Sequence, residues 1–218
     1  SDLTSTNAHY LDDDRARETV ESGLDRLIIS IDGADQATYE KYRIGGSIDK
    51  VLEGAANVVD WKKKLNKRHP YVVFQMLVVR HNEDQIDAVR TLAQQAGVDE
   101  VVFKTAQIYD YENGNPLIPD NTRYSRYVQK TDGTWKLKNA LENRCWKMWH
   151  SCVITWDGKV VPCCFDKDAK HVVGDLQTST LAEVWNSAPY RNFRTELFSG
   201  RKEIDICSNC SEGASVFS

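Results

Sequence analysis

Short β-branched runs alternate with amphipathic helical segments up to residue 104, and this alternation restricts the fold more than any other feature of the sequence. Three runs are typical of buried strands: LDRLIISIDG, YVVFQMLVV and VDEVVFK. Strands separated by helices predict parallel βαβ units with right-handed crossovers. Because a closed barrel of this kind needs about eight strands, these three predict only a piece of an α/β sheet.

Polar side chains stand at the carboxyl ends of the predicted strands, where α/β folds bind their ligands. They are Ser30, Asp32, Arg80, Asn82 and Lys104. For Ser30 and Asp32 the alternative interpretation is a strand end whose polar residues simply lead into a helix.

Composition limits the classes of protein and of partner. The chain has 41% hydrophobic residues, a formal net charge of −4 and a pI near 5.8. These values favour a globular protein and argue against nucleic acid or a membrane surface as its main partner, because both require a basic face. No apolar run approaches the ~20 residues of a membrane span, and no signal segment opens the chain. We therefore expect a cytoplasmic protein with reduced thiols.

Six cysteines lie in the second half of the chain, and the last two form the C-x-x-C step CSNC at residues 207–210. In a reducing compartment, such spacing favours metal or cluster ligation over a disulfide framework.

The segment SCVITWDGKVVPCC predicts a β-hairpin, because two β-branched runs flank the Asp-Gly step at residues 157–158. A two-residue type I′ turn would place Cys152 opposite Cys163. Alternation along the strand would then turn Cys163 and Cys164 to opposite faces, so that only one of them serves a given site.

The cysteine spacing carries a resemblance to a known family. Twelve residues separate Cys145 from Gly158, four separate Gly158 from Cys163, and Cys207-x-x-Cys210 follows after a gap. This pattern resembles the first part of the signature of the SPASM and twitch extensions of radical SAM enzymes. The usual sequence of that region is also similar to three stretches of this chain: DGKVVPCCFD, VVGDL and LAEVWNS.

The first half also resembles this family. TSTNA is similar to the TNG stretch after the third strand of a radical SAM barrel, and GLDRLIISIDGADQATYEKY to the fourth strand and its helix. The resemblance implies an α/β fold: the later half of a radical SAM partial (β/α) barrel, followed by a small cysteine-rich SPASM/twitch domain of a β-hairpin plus helices. The implied boundaries are residues 1–106 for the barrel segment, 107–143 for a linker and 144–218 for the cluster domain.

The resemblance implies one auxiliary [4Fe-4S] cluster with four ligands, Cys145, Cys163, Cys207 and Cys210. The hairpin register makes Cys152 a rival of Cys145, but only Cys145 has the family spacing to Gly158. We expect Cys164 to be a small buried hydrophobe. Zinc is the alternative occupant of a four-cysteine site. However, one close pair plus two thiols separated by seventeen residues differs from the paired knuckles of a zinc ribbon.

Two features of the family do not occur in this sequence. The C-x-x-x-C-x-x-C loop that holds the S-adenosylmethionine-cleaving cluster would precede residue 1. We therefore expect this chain alone to be inactive and the missing N-terminal half of the barrel to be its partner. A full SPASM domain has further cysteines after the C-x-x-C step, so their absence here implies one auxiliary cluster and not two.

The resemblance implies an oxidoreductase or maturase. Its intact form would cleave S-adenosylmethionine to a 5′-deoxyadenosyl radical and abstract hydrogen from a peptide or small-molecule substrate. The residues implied near that cofactor are Ser30, Asp32, Arg43 and Asn82. The competing hypothesis is a non-catalytic four-cysteine module that binds zinc and serves protein or peptide interaction.

Overall fold

The computed structural model describes residues 2–210 and 212. The chain divides into two units, residues 1–134 and residues 135–218, and each is described by itself. The boundaries at residues 106 and 143 stay a prediction. Within the described residues, no helix is both long and apolar enough to cross a membrane.

A four-stranded parallel sheet forms the centre of the first unit, in the order β1-β2-β3-β4. The strands are Leu3–Thr6 (β1), Arg26–Ser30 (β2), Tyr71–Val78 (β3) and Glu100–Thr105 (β4). In the register of the sheet, Phe74 of β3 lies beside Ile29 of β2 and Val101 of β4. The predicted parallel α/β arrangement is therefore confirmed.

Strand β1 is the element that hydrophobic patterning did not predict. Its sequence, LTST, is mostly exposed, so it lacks the apolar run that marks the other strands. Backbone pairing holds it in the sheet, with Leu3 beside Arg26 and Thr6 beside Ile29. No strand among the described residues pairs with its other edge.

Four helices connect and cover these strands, and short polar side chains start three of them. The carboxylates of Asp12 and Asp35 and the hydroxyl of Ser47 each accept a hydrogen bond from a first-turn N–H that has no helical partner. Gly97 ends the fourth helix in the left-handed conformation, with φ of 70°. The helices are Asp13–Glu21 (α1), Gln36–Tyr42 (α2), Ile48–Lys64 (α3) and Ile86–Ala96 (α4).

The core of this unit lies between the helices and one face of the sheet. Ile29, Phe74 and Met76 are fully buried there, and each contributes about 1.5–3 kcal/mol by leaving water. Their neighbours on the opposite face, such as Gln75 and Leu77, are only half-buried. The second face of the sheet is therefore less well covered than the first.

Two short strands, Tyr127–Gln129 (β5) and Trp135–Leu137 (β6), lie in the turn-rich stretch after β4. The buried Tyr127 hydroxyl accepts from the Ile108 N–H at 2.7 Å and donates to the Ile108 carbonyl at 3.0 Å. This stretch therefore has hydrogen bonding and packing of its own.

An antiparallel sheet, β7-β8-β9, opens the cysteine-rich part of the second unit. Its strands are Val153–Ile154 (β7), Lys159–Val161 (β8) and Gly174–Asp175 (β9). The hairpin predicted from the sequence is therefore present. Its register is not the predicted one, because Ile154 pairs with Val160 and Val153 with Val161.

The turn explains this correction. The Gly158 N–H donates to the Thr155 carbonyl at 3.0 Å, and Gly158 has φ of 83°. This is a three-residue loop with a left-handed glycine, and not the two-residue type I′ turn that we expected. The register shifts by one residue, so Cys152 does not lie opposite Cys163.

Three helices complete the second unit. They are Leu181–Trp185 (α5), Ala188–Gly200 (α6) and Asp205–Ser208 (α7). Thr180 and Glu183 form a reciprocal capping box at the start of α5. Together with the sheet they enclose an apolar core built on Val160, Val173, Val184, Tyr190, Phe193 and Leu197.

Candidate metal centre

The four predicted ligands lie in different elements of the second unit. Cys145 precedes a 3-10 turn, Cys163 follows β8, Cys207 lies in α7, and Cys210 comes directly after that helix. Cys145, Cys207 and Cys210 are 8%, 9% and 5% exposed, and Cys163 is half-buried. Three of them, Cys145, Cys163 and Cys207, pack with the apolar core.

The C-x-x-C step is shaped by a short run of backbone hydrogen bonds. The Cys207 N–H donates to the Ile204 carbonyl at 2.9 Å, and the Cys210 N–H donates to the Cys207 carbonyl at 3.0 Å. A turn of this tightness keeps the two cysteines of the step close to each other.

The thiols act on one another electrostatically. Burial raises the pKa of Cys207 to about 12, with the neighbouring Cys210 and Cys145 adding to the increase and Arg201 opposing it. The pKa of Cys163 is also raised, first by its hydrogen bond to Cys164, then by burial and by nearby Cys210. Cys145 and Cys210 are therefore close enough to Cys207 to act on its thiol, and Cys210 is close enough to act on that of Cys163.

This environment fits a cationic centre. A thiol must lose its proton to bind metal, and burial among other thiols opposes that loss unless a positive charge is present. Four thiolates are the ligand set of an iron-sulfur cubane. Within residues 2–210 and 212, no three His, Cys, Asp or Glu side chains are gathered around a single metal-ion position.

Cys164 corrects two expectations. It is exposed, and not a small buried hydrophobe, and its thiol hydrogen-bonds to that of Cys163 where we expected the two to point apart. The reason is that β8 ends at Val161, so strand alternation does not extend to these residues. The same hydrogen bond lowers the pKa of Cys164 to about 6, helped by Lys147 against the effect of burial.

Cys152 is half-buried and packs against the same apolar core as Cys145, Cys163 and Cys207. Burial raises the pKa of its thiol, and the Arg194 guanidinium opposes that increase. Tyr190 packs nearby and donates to the Ser151 carbonyl at 3.2 Å. Since the observed hairpin register does not pair Cys152 with Cys163, the structural reason for treating it as a rival of Cys145 is removed.

A polar network that the sequence did not reveal fastens the loop after Cys163. The buried Asp166 carboxylate accepts from the Lys170 and His171 N–H groups, both at 2.8 Å. His171 Nε2 lies 2.6 Å from Asp205 Oδ1 on α7, two residues before Cys207. The network therefore links the Cys163 loop to the C-x-x-C step, and its members are too far apart in sequence for spacing to indicate it.

The predicted cofactor residues lie in the first unit, and three of them are joined by hydrogen bonds. Asp32 is 1% exposed and accepts from Arg43 Nε at 2.6 Å and from the Leu77 N–H at 2.8 Å. The amide of Asn82, which is fully buried, donates to the Asp32 carbonyl at 3.0 Å and accepts from the Val79 N–H at 2.8 Å. The network fixes the carboxyl ends of β2 and β3.

Ser30 ends β2 and is half-buried beside Gln75, apart from that network. Arg43 also lines a cavity of about 250 Å³, together with His9 and Tyr39. Tyr39 is fully buried, burial raises the pKa of its hydroxyl, and that hydroxyl has no hydrogen-bond partner among the described residues. Sequence reasoning missed Tyr39, because a tyrosine in an amphipathic helix gives no distinct signal.

Comparison with known proteins decides the nature of the second unit. Residues 145–211 match the SPASM family, an iron-sulfur cluster-binding domain. This stretch is therefore similar to a SPASM domain. It contains all six cysteines of the chain. With the relatives described next, the match confirms the resemblance to radical SAM enzymes that carry a SPASM domain.

Two curated proteins are similar in sequence. One is the tungsten-containing aldehyde ferredoxin oxidoreductase cofactor-modifying protein of Pyrococcus furiosus. It is 22% identical over an alignment of 248 residues in length, which covers 95% of this chain and 64% of that protein. The S-adenosyl-L-methionine-dependent 2-deoxy-scyllo-inosamine dehydrogenase of Niallia circulans is 33% identical over 60 residues, covering 27% of this chain and 24% of that enzyme. The chain therefore spans less than two thirds of either relative.

Two solved structures share the fold. One is histidine-tagged anSMEcpe with bound AdoMet, with a TM-score of 0.60 and 15% identity, over 98% of this chain and 64% of the other. The second is SuiB from Streptococcus suis, with a TM-score of 0.62 and 12% identity, over 88% of this chain and 50% of the other. At this level of identity the likeness shows the fold alone.

Proposed function

We propose that the SPASM domain holds one auxiliary [4Fe-4S] cluster, in a chain that forms the later part of a radical SAM oxidoreductase or maturase. The proposed ligands are Cys145, Cys163, Cys207 and Cys210. One observation carries the proposal: Cys145, Cys163 and Cys207 pack in a single apolar core, and the buried Cys210 is held beside Cys207 by a backbone hydrogen bond. Their thiolate forms become stable there when a positively charged centre binds them.

When bound, a cluster with four thiolate ligands supplies a site for electron transfer and offers no open iron to a substrate. The chain's own contribution is to hold the thiols in place and to exclude water from them. Tyr190, Phe193 and Leu197 do this from α6, since all three are buried in the core that contains Cys145, Cys163 and Cys207. Burial and hydrogen bonding of this kind adjust the reduction potential of a cluster.

We further propose that the carboxyl ends of β2 and β3 contribute to S-adenosylmethionine binding in the intact enzyme, with Ser30, Asp32, Arg43 and Asn82 as the residues involved. The fold shared with AdoMet-bound anSMEcpe supports this proposal. Asp32 and Asn82 would act by holding the edge in shape, because their polar groups bond to each other and to the backbone. Arg43 is best placed to reach a ligand, since its side chain is 35% exposed and lines the cavity.

The substrate is proposed to be a peptide or a small molecule. One relative is named as a cofactor-modifying protein and another as a dehydrogenase of 2-deoxy-scyllo-inosamine, so related chains serve different substrates. The missing N-terminal part of the barrel would supply the cluster that cleaves S-adenosylmethionine, and this chain would act only together with it.

Iron and acid-labile sulfide analysis tests the cluster proposal. The chain is purified and reconstituted without oxygen, and wild type is compared with Cys145→Ala and with the matched control Cys152→Ala. We expect about four irons and four sulfides per chain in wild type and in Cys152→Ala. Cys145→Ala should lose the complete cluster and the visible absorption that accompanies it.

The opposite results identify which part of the proposal is wrong. One zinc per chain without sulfide would leave the SPASM domain as a structural four-cysteine module, although no comparison supports zinc. Loss of the cluster in Cys152→Ala, with Cys145→Ala unaffected, would keep the cluster and overturn the ligand assignment.

A further inference from the structure

Arg201 is the largest fully buried side chain in the part of the chain that the structure describes, with 1% of its surface exposed. It begins the short 3-10 turn that follows α6, six residues before Cys207. A guanidinium is always charged in a protein, so its burial removes a full positive charge from water.

The guanidinium joins two segments that carry proposed ligands. Arg201 Nη1 donates to the Arg144 carbonyl at 2.6 Å, directly before Cys145. Nη2 donates to the Cys210 carbonyl at 3.1 Å and to the Glu212 carbonyl at 2.7 Å. One side chain therefore fixes the backbone on both sides of the centre, over a sequence separation of 57 residues on one side and nine on the other.

Nothing in the described part of the chain neutralises this charge. The acceptors of Arg201 are backbone carbonyls, no described carboxylate lies within ion-pair distance, and the buried Nε has no partner there. The equally buried Asp32 is different, because the Arg43 guanidinium neutralises it. A buried unpaired cation is costly, and a nearby negative charge removes most of that cost.

We propose that Arg201 is the positioning residue and counter-ion of the auxiliary cluster. This inference rests on the proposed cluster and adds a named group that sets its charge balance. Four thiolates would supply the negatively charged partner that the Arg201 guanidinium lacks among the described residues.

A fixed cation should influence reduction of the centre directly. Reduction adds one electron, and a positive charge that stays buried beside the cluster favours the more negative state. Removing that charge should therefore lower the reduction potential. A purely structural side chain of the same size would change the amount of bound cluster without changing its potential.

The test uses Arg201→Gln, which keeps a hydrogen-bond donor and loses the charge, and Arg201→Lys, which keeps the charge. Arg194→Gln is the matched control, because Arg194 is 6% exposed in the same unit and its guanidinium packs on Trp149, Trp185 and Tyr190. The readouts are iron per chain and the midpoint potential of the reconstituted cluster, followed by its electron paramagnetic resonance signal.

We expect Arg201→Gln to lower the equilibrium constant for one-electron reduction at least tenfold, which corresponds to about 59 mV. Arg201→Lys and the Arg194→Gln control should stay within about threefold of wild type, or about 28 mV on the same scale. An unchanged potential in a loaded Arg201→Gln chain overturns the inference while leaving the cluster proposal intact. A wild-type chain that binds no iron overturns both.

If Arg201→Gln does not retain a cluster, the Arg201→Lys variant shows whether the site requires the positive charge or the shape of the arginine. If both variants keep the far-UV circular dichroism of wild type and only Arg201→Lys retains iron, the positive charge is what the site requires. If both lose iron equally, the shape of the arginine matters and its charge does not, which overturns the counter-ion assignment.

Discussion

We expect Gly174→Ala to destabilise the second unit, because β9 and α5 approach too closely to admit a methyl group. A Cβ atom at Gly174 would lie 2.4 and 2.5 Å from the two γ-carbons of Val184 and 3.0 Å from its Cβ. Favourable carbon contacts lie at about 3.5–4.0 Å. Val184 is buried in a helix, where a β-branched side chain has one strongly preferred rotamer, so it cannot turn both methyl groups away.

The size of the effect follows from this geometry. Overpacking a core by one methyl group costs about 1–3 kcal/mol. Two contacts that are short by about 1 Å place Gly174→Ala near the upper end of that range, at about 2–3 kcal/mol. For a domain of this size each kcal/mol lowers the melting temperature by about 4–8 °C, so a fall of about 8–24 °C is expected.

A double-mutant cycle tests the cause. Val184→Ala alone should cost about 2 kcal/mol, from the buried methyl groups that it removes and the space that it leaves. In the double variant the new methyl group enters that space, so its loss of stability should be at least about 1 kcal/mol smaller than the sum of the single losses. Additive losses within about 0.5 kcal/mol would refute the steric reasoning.

Urea unfolding followed by tryptophan fluorescence is a suitable assay for this cycle. Every tryptophan except Trp61 lies within residues 135–218, so the signal reports mainly on the second unit. All four chains must be compared in the same cluster state, because a bound centre adds its own stabilisation.

Three further predictions concern other sites. Leu197→Ala should cost about 2–5 kcal/mol in urea unfolding, because Leu197 is fully buried, whereas Phe198→Ala, at a residue 49% exposed, should cost less than half as much. Asp35→Ala should cost about 1 kcal/mol at pH 7, since Asp35 caps α2. Hydrogen bonding, chiefly from the Thr38 N–H, lowers the pKa of Asp35 below 3.8. Unfolding measured at a series of pH values should therefore show the cost of Asp35→Ala disappearing as the pH falls through that lowered pKa. A cost that stays constant with pH would contradict the capping role. Arg43→Met should lower the melting temperature by leaving Asp32 buried without its charged partner, at a cost of about 1.5–3 kcal/mol, and adding Asp32→Asn should recover part of the loss.

The first unit shows which part of a fold hydrophobic patterning can reveal. Strands β2, β3 and β4 were predictable, because burial of their side chains imposes a β-branched, apolar sequence. Strand β1 was not, since its exposed LTST sequence is held by backbone pairing with β2 and so carries no compositional mark. The pattern records what a strand buries and does not record which strand it pairs with.

The predicted register of the β7–β8 hairpin was wrong for a different reason. An Asp-Gly step suits a two-residue type I′ turn and also a three-residue loop that ends in a left-handed glycine. Both turns accept the same residues, and they differ by one position in register. The choice depends on the Gly158 N–H bonding to the Thr155 carbonyl, which residue preferences alone do not determine. A single residue of register then changed the expected partner of Cys152.

The cysteine ligands could be proposed from spacing, but their surroundings could not. A spacing pattern can indicate a site only when its residues are close in sequence, as the two cysteines of the C-x-x-C step are. Arg201 bonds to the Arg144 carbonyl across 57 residues, and His171 meets Asp205 across 34. Only the folded chain brings these groups together, so no sequence pattern assigned Arg201 or Asp166 a role at the site.

Asp32 in the first unit and Arg201 in the second are buried charges that are held differently, and this difference bears on function. In the first unit Asp32 and Arg43 neutralise each other, so the sheet edge keeps its shape without any bound group. In the second unit burial raises the pKa of Cys207, and Arg201 is buried without a carboxylate partner in the described residues. Both costs fall when a cationic centre carries the thiols as thiolates beside the guanidinium. The stability of the SPASM domain should therefore depend on cluster loading, while that of the parallel sheet should not.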